Sequence, residues 1–171
     1  MPTVIDLDET FVFDAVVHSY NLEPSNYRNE RHATALKEMI CGHLQDSSPP
    51  GYRVTEEGFV RDWSVQETAR MLFEESHTDM ATFHPIPLYM FDDGLVSNEK
   101  ARIAKEQWPN RFRVFAAIDP MRGNEAIEEL EKQVDLLDPA GLKLYPASFG
   151  ADSHDTWRMD DPTVAFPIFE R

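Results

Sequence analysis

The chain has 171 residues, 42% of them hydrophobic, which is enough for one domain of ordinary size. Its formal charge of −15 excludes a phosphate-rich partner: nucleic acid would be repelled, and an anionic membrane surface is disfavoured. A single cysteine, Cys41, can form no internal disulfide and no thiol cluster, and reads as a small core residue.

The N-terminus lacks a basic stretch followed by an apolar one, and no apolar run approaches the roughly 20 residues of a membrane helix. The expectation is a cytoplasmic protein without a membrane partner. Residues 1–10 read as a solvated acidic leader.

Four short apolar runs follow in chain order: 11–17, 80–88 ("MATFHPIPL"), 112–118 ("FRVFAAI") and 141–145 ("GLKLY"). Such dense aliphatic and aromatic runs suit strands buried on both faces. Between the first two lies a polar, turn-rich stretch, residues 19–62, read as an irregular insertion and as a candidate lid or substrate loop.

Helical patterns fill the other gaps. Ser64 and Glu67 have capping-box spacing and predict a helix running to about residue 76. "SNEKARIAKEQW" predicts a second, stopped by Pro109. "NEAIEELEKQVDLLDP" predicts a third, with Ile127, Leu130, Val134 and Leu137 on its apolar face. "RMDDPTVAFPIFER" starts another, with Pro167 near its first turn. Strands alternating with helices at roughly 30-residue spacing predict βαβ units and a parallel sheet, its strands neighbours in chain order. The fold class is therefore α/β. Four strands and an unfinished helix leave two edges unpaired, as in half of a larger barrel.

Two motifs carry possible chemistry. "VIDLDET" resembles the opening motif of the haloacid dehalogenase superfamily, which would make Asp6 the nucleophile and Asp8 the proton-handling partner beside magnesium. Only Thr3, Val4 and Ile5 precede Asp6 as strand, and "MDDP" reads as a helix-entry turn rather than a late acidic strand end. The exposed acidic leader is the preferred reading.

The second motif is wider. "FDAVVHSYN", "SVQETARMLFEESHTDMATFHP", "NEKARIAKEQWPNRFRVFAAIDP", "NEAIEELEKQVDLLDPAGLKLYPA" and "MDDPTVAFPIFER" occur in the order found in the amidohydrolase-2 (aminocarboxymuconate-semialdehyde decarboxylase-like) family, which residues 11–171 resemble. The resemblance implies the first half, about four β/α units, of a (β/α)8 TIM-type barrel. It implies a hydrolase or decarboxylase acting on a small carboxylated, cyclic or unsaturated substrate. It also implies a divalent metal, zinc or manganese, held in part by His-x-His on strand 1.

Here His18 matches the second histidine and Val16 replaces the first. His18 is thus a candidate metal ligand or catalytic group; Asp14, Val16 and His18 are expected on one strand face. Lys143 is expected to point into the barrel mouth with Tyr145, as a catalytic group or carboxylate anchor. His84 at the end of strand 2, and Trp157 after strand 4, are candidate substrate contacts. His32, His43, His77 and His154 are expected at the surface, and Trp108 in the core. The partners expected are a small-molecule substrate, the missing C-terminal half-barrel and a homo-oligomer. The alternative is a non-catalytic truncated or split half-barrel that acts through association.

Overall fold

The computed structural model describes residues 6–7, 9–149 and 154–171. Four parallel strands, β1 (Phe13–Val17), β2 (Met80–Phe83), β3 (Phe112–Ala117) and β4 (Gly141–Lys143), form one sheet in the order β1-β2-β3-β4. Sequential parallel order is that of a barrel wall, not of a doubly wound sheet. The strands start within a few residues of their expected positions. β2 stops early because Pro85 and Pro87 cannot donate to a ladder.

Helices α3 (Val65–Phe73), α4 (Asn98–Gln107) and α5 (Asn124–Leu137) cross over between successive strands. α3 begins with the expected capping box: Ser64 Oγ accepts from the Glu67 amide, and the Glu67 carboxylate accepts from the Ser64 amide. α4 starts at Ser97, whose hydroxyl accepts from the Lys100 amide. α5 presents a slightly rotated face. Leu130 and Leu137 are buried and Ile127 packs against the core, but Val134 is exposed, with Ala126 and Gln133 buried instead. Gln133 earns that place through polar bonds. Its side chain accepts from the Ala117 amide at 2.9 Å and donates to the Ala117 carbonyl at 3.0 Å, which clamps α5 to the end of β3.

The 19–62 stretch is not irregular. It contains an 18-residue helix, α1 (Glu30–Ser47), capped by the Asn29 side chain, and a short α2 (Glu56–Phe59). α1 buries only Ala33, with Leu36 and Ile40 partly packed on the core, so its apolar stripe is too narrow to stand out from the sequence. Cys41 on this helix is half-buried rather than a core residue. A second feature absent from the sequence reading is the antiparallel hairpin of β5 (Ala147–Phe149) and β6 (His154–Thr156). The chain ends in a short α6 (Phe166–Phe169) with Pro167 in its first turn.

The two faces of the sheet differ. Ala81, Phe83, Phe112 and Val114 pack against the helices in one core, and Ala116 with Leu142 and Leu130 in a second. Leu142 therefore faces the helices, and its neighbour Lys143 takes the barrel-axis side expected for that strand. On the axis side Phe13 is 44% and Val16 55% exposed. Covering several hundred Å² of such surface is worth on the order of 10 kcal/mol, comparable with the stability of a whole domain. The 171-residue chain by itself is therefore expected to associate, or to unfold without cooperativity. Sedimentation checks this, and a cooperatively unfolding monomer would contradict it.

Candidate active site

The C-terminal ends of β1, β2 and β4 bring His18, His84, Lys143 and Tyr145 to one mouth. The first two are locked to each other's strands. His18 Nδ1 lies 3.0 Å from the His84 carbonyl oxygen, and His84 Nε2 lies 3.1 Å from the Ala15 carbonyl oxygen. A carbonyl can only accept, so each of these nitrogens carries the proton. His18 is then the Nδ1–H tautomer, with the lone pair on Nε2. His84 is the Nε2–H tautomer, and its buried Nδ1 has no hydrogen-bond partner among the described residues. The His84 amide also donates to the Val17 carbonyl at 3.1 Å, completing a latch between the two strand ends.

Aromatic rings frame the latch. His18 stacks on Tyr20, centroids 5.4 Å apart, and meets the His84 ring edge-on at 5.9 Å. The other side of His84 rests on Phe115, at 4.5 Å. Phe115 can lie there because β4 begins with Gly141: a Cβ at that position would sit 2.8 Å from the ring. Beyond it, Lys143 Nζ lies 5.1 Å from the centre of the Tyr145 ring.

Burial makes this group of side chains reluctant to carry charge. It lowers His18 to about 4, helped by the nearby positive charge of Lys143 and opposed by the bond to the His84 carbonyl. Burial lowers His84 as well, with Lys143 acting in the same direction. Lys143 is itself lowered by burial, and Tyr20 and Tyr145 are raised by it. At neutral pH the mouth thus holds two neutral imidazoles with fixed tautomers, two neutral phenols and a lysine near none of the carboxylates with which it could form an ion pair among the described residues.

The loop leaving His18 is held from behind. Lys100 Nζ donates to the Ser19 and Trp63 carbonyls, each at 2.9 Å, and pairs with Asp62. Ser19 is fully buried, its hydroxyl 2.7 Å from that of Thr68. Lys100 and Ser19 are positioning residues that the sequence did not single out; a lysine on an amphipathic helix gives no signal of reaching three groups of a distant loop.

No group of three His, Cys, Asp or Glu side chains converges among the described residues, so His18, with Val16 two residues before it and Lys143 nearby, meets no second and third donor in this part of the mouth. Strict alternation along β1 also fails. Its register against β2 shifts between Asp14 and Val17, and the Asp14 carboxylate turns back to the Val16 amide at 3.0 Å.

Of the remaining expected positions, Trp157 is buried, 6% exposed, and offers no open ring to the mouth. Trp108 packs edge-on against Phe112 in the core, as expected. His43 and His77 are exposed and His32 is half-buried; the side chain of His154 lies outside the described residues. Asp6 is exposed and precedes β1, on the side opposite the mouth, whereas Asp8 lies outside the described residues. A separate cavity of about 380 Å³, walled by Tyr89, Asn98, Asp119, Arg122 and Glu129, lies between the loop after β2 and α5 and touches none of the expected site residues.

No known family profile matches the chain, and no curated protein is similar to it in sequence. Solved structures do resemble it. An uncharacterized TIM-barrel protein from Bordetella bronchiseptica superposes with a TM-score of 0.58 at 15% identity, over 94% of this chain and 51% of that one. 2,6-Dihydroxybenzoate decarboxylase, complexed with 2,6-dihydroxybenzoate, superposes with a TM-score of 0.54 at 20% identity, over 94% of this chain and 46% of that one. The fold is thus that of part of a TIM barrel, and the chain spans about half the length of the structures it matches. No helix among the described residues is long and apolar enough to cross a membrane.

The depressed basicity of His18 has a consequence for stability. Below its ordinary value of 6.5 the unfolded chain takes up a proton that the folded chain refuses until about pH 4. Stability is therefore lost as pH falls through that window and is unaffected by this group above it. Thermal melts of the intact protein at pH 7, 5.5 and 4 should show the loss, and His18→Gln should make it shallower. An unchanged slope in the variant would contradict the burial of a neutral His18.

Proposed function

We propose that the chain supplies one half of the active site of an amidohydrolase-superfamily TIM-barrel enzyme, a decarboxylase or hydrolase of small carboxylated, cyclic or unsaturated substrates. The observation that carries the reading is the convergence of His18, His84, Lys143 and Tyr145 at the C-terminal ends of parallel strands. TIM-barrel enzymes keep their chemistry at that end. Likeness to a decarboxylase with an aromatic carboxylate bound supports the substrate class.

In this reading the Lys143 charge draws the substrate carboxylate into the mouth. Phe115, and Val16 once the rest of the barrel covers it, would wall off water and strengthen that attraction. His18, neutral at pH 7 and holding its lone pair on Nε2, takes up or returns a proton at the reacting carbon or at an attacking water. Tyr20 and the His84 carbonyl hold its ring in orientation. The remaining barrel wall, which in the two similar structures comes from the other half of their chains, covers the axis side here and completes the pocket.

A positioned acid–base group contributes on the order of 100-fold to 10,000-fold in rate. Against small aromatic and unsaturated carboxylates, including 2,6-dihydroxybenzoate, His18→Ala in the full-length enzyme should lower turnover by at least about 100-fold. Val16→Ala should leave it near that of the parent. Small and equal effects of the two substitutions would reduce His18 to a packing residue and sink the proposal.

A further inference from the structure

The chain has five lysines, and four of them have ordinary surroundings. Lys37, Lys100 and Lys105 pair with Glu56, Asp62 and Asp138, and Lys132 lies exposed on α5. Lys143 differs from all four. It is half-buried on the axis side at the end of β4, over the Tyr145 ring. Its charged and titratable neighbours are two imidazoles and that phenol. His18 and His84 both feel its charge, Asp14 acts on His18, and no described carboxylate forms an ion pair with Lys143.

A half-buried ammonium that no described carboxylate pairs with is costly, and such surroundings favour release of its proton. Burial accordingly lowers the lysine's pKa. Lys143 rests as the cation, and the fraction that gives up its proton, beside the Tyr145 ring and two neutral imidazoles, is the nucleophilic form of the amine. Such an amine can itself build a covalent electrophile from a carbonyl substrate.

We propose that Lys143 forms a Schiff base with a carbonyl-bearing carboxylate, and that the substrates of this site are small 3-oxo acids. The inference rests on the reading of the mouth as an active site. Nζ adds to the ketone carbon, the C=O π bond opens, and after proton transfer the oxygen leaves as water, giving a protonated C=N linkage. The bond from C2 to the carboxylate then breaks. Its electron pair moves toward the iminium nitrogen to form an enamine, and CO2 departs. Return of a proton to C2, followed by addition of water to C=N, releases the ketone and regenerates the amine. No oxidant or second reactant is needed. The proton carriers at hand are His18, through its Nε2 lone pair, and the Tyr145 hydroxyl.

The test is reductive trapping on the full-length protein. Acetoacetate with sodium cyanoborohydride at pH 7, followed by peptide mass spectrometry, should place the adduct on Lys143 several-fold faster than on exposed Lys132. Lys143→Arg, which keeps the cation and the packing, should melt like the parent, lose the adduct and lose turnover. Labelling of Lys132 as fast as Lys143, or an active Lys143→Arg variant, would overturn the inference. If His18→Ala abolishes turnover while Lys143→Arg does not, only the Schiff base falls. If neither substitution matters, the active-site reading falls with it.

Discussion

The site depends on the reciprocal bonds between the ends of β1 and β2. His18 donates to the backbone of residue 84, and His84 donates to the backbone of residue 15. One ring bonds the carbonyl just past the end of β2, and the other a carbonyl inside β1, where its register shifts. Each bond also fixes a tautomer. One interaction thus serves two levels at once: it ties the two strands together and decides which imidazole nitrogens remain to do chemistry.

Everything around the latch keeps it dry and still. Phe115 backs His84 and needs the absence of a side chain at Gly141 to do so. Tyr20 covers His18, and the loop between them is tied down by Lys100 and by the buried Ser19–Thr68 pair. The resulting low polarity explains why two histidines and a lysine share one mouth without three charges. Protonating any of them raises the cost of protonating the others, and burial penalises all.

Much of this was legible in the sequence, and the limits are instructive. The four strands declare themselves because strands buried on both faces need unbroken apolar runs, and the capping box at Ser64 marks its helix by chemistry alone. His84 and Lys143 could be placed at the mouth from their positions in short strands. The helix at Glu30–Ser47 was hidden because it touches the core through so few side chains. Val134 was assigned to the core by periodicity, but polar Gln133 won the buried position through its two bonds to Ala117. The shift in β1 register could not be foreseen, since it arises from pairing with a strand more than 60 residues away. Nor could the tautomer latch, which joins ring atoms to backbone carbonyls and leaves no trace in residue type.

The most direct measurement is the protonation state of the two imidazoles. Nitrogen–proton correlation spectra of the histidine rings in the intact protein should show His18 protonated on Nδ1 and His84 on Nε2 at pH 7, with His18 still neutral near pH 5.5. An imidazolium at His18 at pH 5.5, or the opposite tautomer at either ring at pH 7, would contradict the account.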